Sequence, residues 1–481
     1  MNDYFLLNPL VKIIPNKSRN VFYTVDEFFH SPENICPLSP ADSIFLLLFD
    51  GTRTKEDVRN DYQKIFRGLS NFDVDTQLNK IKEKTGCNEL LVDSSKFSKE
   101  EIEKLGNRID PTSLVISKEN FDMKNGDLKL DYPLSLNFNV ATTCNFSCEY
   151  CYHPLNKVSP FISLSRLKEI LKQFKDIGSE SVMLTGGDPL LRPDIDDILS
   201  YLHSINFFYS LSTKSILSQS RIDKLIETAG FDRIQISLDS NRSHIVEKLI
   251  HVNEDYFKKC IQQIEYMLNK GIDVRVKSVL TSLNADYVDE YISFLVALGV
   301  KHIQIVSYGR SGYRHKDELF ATEEQLTKAS QSIKEAREKY PQLSLVGGGY
   351  SIQKAFVENS VSFFEKRAVC NAGRFGVTML PNGEVTICEQ LPYNKKHIIG
   401  DLSKEDLLDW WNGEKLKTWL SPPSRKIFAP GVPCYSCKEE DYTVCHTKYS
   451  RCLRYCREYF GSTEMPDVHC PKTSFEEFRI V

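Results

Sequence analysis

The amino-acid sequence predicts an α/β protein: a central parallel sheet with crossover helices, a smaller α+β region before it and a cysteine-rich region after it. Three observations carry that reading. Strand-like and helix-like runs alternate from residue 134 to about 308, the first hundred residues run strand, strand, helix, helix, and eight of the fourteen cysteines lie at or beyond Cys370. With 481 residues the chain exceeds one ordinary core and fits two to four domains. At 41% hydrophobic and 26% charged residues it reads as globular, and a net charge of -4 with both signs interspersed gives no electrostatic case for nucleic acid. No run approaches the roughly 20 apolar residues of a membrane span. The start, from Met1 to Phe5, lacks the basic and apolar regions of a signal peptide, so no membrane partner and a cytoplasmic location are expected.

Residues 134–140 alternate apolar and polar side chains and read as the first central strand. Ser163 or Ser165 can cap the helix that follows, whose apolar residues Leu164, Leu167, Ile170, Leu171, Phe174 and Ile177 share one face and which Gly178 ends. Further strands are expected at 181–185, 207–212, 233–237, 274–280 and 302–306, six in all, joined by right-handed crossovers. Sheets of this kind gather ligands at the carboxyl ends of their strands.

The first strand runs into a loop holding Cys144, Cys148 and Cys151. In a reducing compartment clustered cysteines are ligands rather than disulfides. Three thiolates leave one iron of a cubane without a protein ligand, whereas a structural zinc or a closed cluster takes four. A zinc site or three buried thiols is the alternative. Cys36, Cys87 and Cys260 stand alone and read as small core residues.

The spacing of these three cysteines, Tyr150 directly before the third and the preceding strand together resemble the signature of the radical S-adenosylmethionine (radical SAM) enzymes. The resemblance implies a partial (β/α)6 barrel and a [4Fe-4S] cluster held by Cys144, Cys148 and Cys151. It also implies S-adenosyl-L-methionine chelated to the open iron as the source of a 5'-deoxyadenosyl radical. Gly186, Gly187 and Asp188 end the second strand where the family has Gly-Gly-Glu-Pro, which holds the methionine amino group, so Asp188 departs by one methylene. Its shorter reach would be made up by backbone carbonyls. Ser212 after the third strand, Ser237 and Asp239 after the fourth, and Lys277 in the fifth resemble contacts to the cofactor's ribose or carboxylate, although each could be an ordinary strand-end polar residue.

In the first hundred residues, 4–14 and 21–24 read as strands and 38–49 as a helix with Ser39 as cap and Pro40 at its first position. Thr54 caps another helix, with Asp57 where a capping box has Glu or Gln. This order, with residues 49–52 between the helices, resembles the winged-helix recognition element of peptide-modifying radical enzymes. There a leader peptide adds as a strand to a sheet edge. A plain structural cap or a degenerate DNA-binding winged helix is the alternative, and the modest basic content stands against DNA. Residues 101–131, polar and rich in Lys, Asp and Asn, read as a linker. The expected domains are therefore 1–100, a linker 101–131, the barrel 132–340 and a cluster domain 341–481.

Cys370 and Cys388 flank a hairpin turned at Pro381-Asn382-Gly383, and Cys434, Cys437, Cys445, Cys452, Cys456 and Cys470 follow. With Trp410 and Trp411 between, the array resembles the SPASM extension, which carries one or two auxiliary iron-sulfur clusters; two [4Fe-4S] clusters are expected here. Carried over, the pattern gives Cys434, Cys437, Cys452 and Cys470 to the outer cluster and Cys370, Cys388 and Cys456 to the inner. Cys445 is then part of an inserted loop, a replacement for one of these, or the inner cluster's fourth ligand. A zinc ribbon is the alternative for 434–456.

The whole resemblance implies a maturase of a ribosomally made precursor peptide, closing a cross-link within it: a thioether first, a carbon-carbon or carbon-oxygen bond second. An electron donor such as flavodoxin or ferredoxin is the other expected partner. A sulfatase-type maturase forming formylglycine would use the same barrel and clusters without the N-terminal domain. A non-catalytic peptide- or metal-binding protein is the alternative of another class, and the complete triad stands against it.

Overall fold

The computed structural model describes residues 4–67, 71–105, 111–117, 120–121, 129–153, 160–311, 313–348, 353–354, 369–473 and 477–478. The chain divides into two units, Met1–Asp131 and Tyr132–Val481.

The first unit contains two three-stranded sheets. Strands β2 (Val11–Asn16), β3 (Arg19–Val25) and β4 (Pro32–Leu38) form one, with β3 central. Strands β1 (Tyr4–Leu7), β5 (Asp50–Thr54) and β6 (Leu91–Asp93) form the other, with β1 central. Helix α1 (Pro40–Leu47) starts where Ser39 accepts from the Asp42 amide, and α2 (Lys55–Ile65) starts at Thr54, whose capping box is completed by the Asp57 carboxylate. Helix α3 (Val74–Thr85) ends on Gly86 in the left-handed region, and α4 (Lys99–Leu105) follows. Phe45 of α1 packs edge-on against Phe49, Tyr62 and Phe72, which holds the helices on one core.

Three details differ from the sequence expectation. The strand expected over 4–14 breaks after Leu7 into β1 and β2, which join different sheets. The stretch between α1 and α2 is strand β5, because its amides and carbonyls find partners on β1, the strand that opens the chain. Within 101–131, Leu114 is fully buried, Asn20 Nδ2 donates to its carbonyl at 3.0 Å, and the Asp131 amide donates to Asn16 Oδ1 at 3.0 Å. Much of the remaining 106–128 stretch lies outside the described residues.

The second unit is built on one ten-stranded sheet. Seven strands run parallel in sequence order: β7 (Ser135–Ala141), β8 (Ser181–Gly186), β9 (Tyr209–Thr213), β10 (Arg233–Ser237), β11 (Asp273–Leu280), β12 (His302–Ser307) and β13 (Ser344–Val346). The crossover helices are α5 (Leu164–Asp176), α6 (Ile195–Ser204), α7 (Gln219–Ala229), α8 (Ser243–Ile250), α9 (Glu254–Asn269), α10 (Val288–Ala297) and α11 (Glu323–Lys339). Ser163 caps α5, and Leu167, Ile170, Leu171 and Phe174 face the core, as the periodicity requires. A two-stranded pair, β14 (Gln353–Lys354) with β18 (Glu477–Phe478), stands apart from this sheet.

The C-terminal hairpin of β15 (Gly376–Met379) and β16 (Glu384–Thr386) does not stand alone. β15 pairs parallel with β7, Thr378 opposite Asn137, and β17 (Ile398–Asp401) follows β16, so the sheet continues across residue 340. Trp410 locks this extension: its indole donates to the Ile399 carbonyl at 2.8 Å, and a β-carbon on Gly400 would lie 2.2 Å from the same nitrogen.

Candidate active site

The carboxyl ends of β7 to β12 reach one cavity of about 270 Å³. Cys144, Cys148 and Cys151 line it from the loop after β7. So do Tyr150, Gly186, Gly187, Asp188, Ser212, Ser237, Asp239 and Lys277, which the sequence places on five different elements. The size suits a small-molecule ligand, and polar groups converge on it from every strand.

Close backbone approach builds the first wall. The Gly187 amide donates to the Ala141 carbonyl and the Asp188 amide to the Thr143 carbonyl, each at 2.8 Å. A β-carbon on Gly186 would stand 2.3 Å from the Ala141 oxygen, and Gly186 has φ +128°. Two glycines at the end of β8 thus let the cysteine loop lie directly on that strand.

The Asp188 carboxylate is committed inside the protein. It is buried and accepts from Thr213 Oγ1 at 2.9 and 2.7 Å, from Ser215 Oγ at 2.9 Å, and from the Leu190 and Ser215 amides at 3.0 and 3.2 Å. It ties the end of β8 to the turn after β9. The carboxylate also lines the cavity, so these bonds fix where it stands beside the strand-end carbonyls.

Tyr150 donates to Asp239 Oδ2, while Asp239 Oδ1 accepts from the Val279 amide at 2.9 Å. Burial and the facing carboxylate hold the Tyr150 phenol well above its ordinary pKa, so it stays a donor. Lys214 Nζ lies 5.4 Å from the Tyr150 ring centroid. Burial lowers the Lys214 pKa, but the charges of Cys148, Asp239, Cys151 and Cys144 outweigh it, and the ammonium is held above its usual range. Burial pushes the Cys148 thiol up to about 12 and also raises Cys144. Loading metal must then displace protons from these thiols. Lys277 is shifted down, by burial first and then by Lys214 and Arg275.

The second group of thiols sorts into neighbourhoods. Cys434 feels the charge of Cys470, Cys445 and Cys437, and Cys470 that of Cys445 and Cys437. Cys452 instead feels Cys370 and Cys388. Cys456, fully buried, is flanked by Cys452 and Cys434 and donates to the Pro466 carbonyl at 3.2 Å. Electrostatically, Cys445 is thus coupled to Cys434 and Cys470, and Cys452 to Cys370 and Cys388, which favours the arrangement in which Cys445 takes an outer place. Helix Glu439–Val444 and the wide turn Cys445–Tyr449 take up the extra residues after Cys437, so the longer spacing does not carry Cys445 away. Among the described residues no three His, Cys, Asp or Glu side chains converge as on a single metal ion; a cubane gives each thiolate its own iron.

Between the two regions lies a residue that the sequence reading missed. Glu389 follows Cys388 and accepts from Asn137 Nδ2 at 3.0 Å and from the Tyr152 hydroxyl at 3.3 Å; burial raises its pKa. His153 lines the large cavity and also a small one of about 20 Å³ shared with Thr142, Cys388 and Glu389, and burial pushes its pKa down to about 4. Only their places beside candidate ligands could have marked them out.

Residues 138–295 match the radical SAM superfamily, and residues 370–438 match the SPASM iron-sulfur cluster-binding domain. A PqqA peptide cyclase of Gluconobacter oxydans is 24% identical over 65% of this chain and 85% of its own length. A GTP 3',8-cyclase of Helicobacter pylori is 32% identical over 37% of this chain and 54% of its own. The crystal structure of Streptococcus suis SuiB bound to precursor peptide SuiA shares the fold over 97% of this chain and 99% of that one, with a TM-score of 0.58 at 18% identity. S-adenosyl-L-methionine and iron-sulfur clusters are accordingly the groups that the thiol-lined cavity and the cysteine array fit. Residues 138–295 therefore form a radical SAM domain, and residues 370–438 a SPASM iron-sulfur cluster-binding domain that follows it.

Proposed function

We propose that this protein is a maturase that closes a cross-link within a ribosomally made precursor peptide. The observation that carries it is the single cavity joining the three-cysteine loop to Tyr152, whose hydroxyl meets Glu389 beside Cys388 of the second thiol group. The relatives support the peptide: one is named for cyclising the peptide PqqA, and the solved neighbour holds a precursor peptide. When bound, the [4Fe-4S] cluster and S-adenosyl-L-methionine supply a 5'-deoxyadenosyl radical, and auxiliary clusters supply an electron acceptor.

The chain's own residues hold and orient. Cys144, Cys148 and Cys151 would ligate the first cluster, and Gly186 and Gly187 keep their loop on β8. Ser212, Ser237 and Lys277 offer polar groups to a cofactor carboxylate and ribose, while Tyr150 is fixed by Asp239. Cys434, Cys437, Cys445 and Cys470 would form one auxiliary set, and Cys370, Cys388 and Cys452, with Cys456 beside them, a second. In the first unit β4 is a sheet edge with exposed residues at Glu33 and Asn34, suited to adding a leader peptide as a strand. The bond we favour is a thioether, then carbon-carbon or carbon-oxygen. A flavodoxin or ferredoxin would deliver the electron, in the cytoplasm; among the described residues no helix is long and apolar enough to cross a membrane.

Anaerobic reconstitution with S-adenosyl-L-methionine, a reductant and the full precursor tests the proposal. The expected product is 5'-deoxyadenosine together with a peptide lighter by two hydrogens and linked between two residues. A Cys or Ser oxidised to formylglycine with no ring would replace this reading, and cofactor cleavage with no change in any peptide would end it.

A further inference from the structure

The chain after β12 touches two things at once. Tyr308, Gly309, Arg310 and Ser311 line the cavity, while Ser311 and residues just beyond it hold the cysteine loop. Ser311 Oγ donates to the Cys151 carbonyl at 3.1 Å, and Arg314 Nη1 to the Cys148 carbonyl at 3.2 Å. The Lys316 ammonium sits 2.7 Å from Glu149 Oε2, and the other oxygen of that carboxylate meets His251 Nε2 at 2.5 Å. Three successive contacts therefore fall on Cys148, Glu149 and Cys151.

The gripping side chains are themselves fixed. The Tyr308 hydroxyl pairs with His315 Nδ1 at 2.8 Å and accepts the Lys316 amide at 3.0 Å. His315 Nε2 lies 2.9 Å from Asp317 Oδ1, and the Tyr308 and His315 rings stack with centroids 5.8 Å apart. The Tyr308 amide donates to the Leu280 carbonyl at 2.9 Å, which ties the whole knot to β11. Hydrogen bonds from a cation to a carbonyl are stronger than neutral ones, and a cation beside an iron-sulfur site stabilises its reduced form.

We propose that Ser311, Arg314 and Lys316 are positioning residues for the cluster loop. They shape it before metal arrives, and the Arg314 charge raises the reduction potential of the cluster held there. The inference rests on the reading that Cys144, Cys148 and Cys151 hold that cluster.

The test has two arms on the full-length protein. In the metal-free chain, hydrogen exchange of the amides of residues 144–151 is compared for wild type, Arg314→Met and Arg314→Lys. Loss of one charge-assisted bond should speed exchange there about tenfold in Arg314→Met, with the Lys variant in between. In reconstituted protein, a redox titration of the first cluster should move to more negative potential in Arg314→Met and return towards wild type in Arg314→Lys. If Arg314→Met lacks native circular dichroism, Ser311→Ala is read in the exchange arm, where a smaller speeding is expected, and Lys316→Met in the titration, where Glu149 left without its cation should also move the potential negative. Unchanged exchange together with an unchanged potential overturns the proposal. The exchange arm needs neither cluster nor peptide, so its outcome is independent of the maturase assignment.

Discussion

A β-carbon on Gly187 would stand 2.1 Å from the carbonyl oxygen of Thr143, the residue before Cys144. That oxygen already accepts the Asp188 amide at 2.8 Å, so backbone meets backbone and no side-chain rotation can relieve the clash. Gly187→Ala should lift the cysteine loop off β8. The expected result is the loss of about four irons per chain and of cofactor cleavage, with the auxiliary clusters retained. Iron analysis with electron paramagnetic resonance checks this, and a wild-type iron count would show that the loop tolerates the methyl.

Tyr150 and Asp239 act as a pair. Removing the hydroxyl in Tyr150→Phe takes a donor from a buried carboxylate and should cost about 1–3 kcal/mol of stability. Because both single changes remove the same bond, Tyr150→Phe with Asp239→Asn should lose less than the sum of the two. Denaturant titration of the metal-free chain measures the cycle, and strict additivity would mean that the two side chains do not interact.

Local signals were legible in the sequence. Ser163 and Thr54 cap where their residue types demand, and the cysteine loop and Gly186-Gly187 lie where a strand end places them. What was not legible depends on partners distant in sequence. β15 reads as half a hairpin, yet pairs with β7, more than two hundred residues earlier. β13 has three residues, too few for a period to show. The Asp188 carboxylate takes its hydrogen bonds from Thr213 at the end of β9 and Ser215 after it, and no spacing around Asp188 announces them. Cys445 and Cys452 could not be sorted by counting residues, because a helix after Cys437 shortens the path that the count measures.

The neighbourhoods of those two thiols give opposite expectations. Cys445→Ser should perturb the cluster set of Cys434, Cys437 and Cys470, while Cys452→Ser should perturb that of Cys370 and Cys388. Each single variant is expected to change one auxiliary signal and leave the other, by paramagnetic resonance of protein reduced stepwise. The reverse assignment of signals would restore the grouping that the resemblance to the SPASM pattern implies.

Alkaline stability should depend on whether metal is loaded. Burial pushes the thiols of Cys148, Cys260 and Cys434 up to about 12 from an ordinary value of 9.0. A group whose folded pKa is raised contributes stability that is fully present below its unfolded value and is lost as pH climbs towards the folded one. In the metal-free chain each of these thiols should therefore remove about 1.4 kcal/mol at pH 10, with the loss beginning near pH 9. Tyr150, Tyr209 and Tyr256 also have raised values and add to the alkaline loss in both forms. Once clusters are loaded, Cys148 and Cys434 are already thiolates and their share of the slope disappears, while Cys260 keeps its own. Denaturant titrations of metal-free and reconstituted protein at pH 8 and pH 10 should then show the steeper loss in the metal-free chain. Equal losses would mean that Cys148 and Cys434 remain protonated in the loaded protein and ligate nothing.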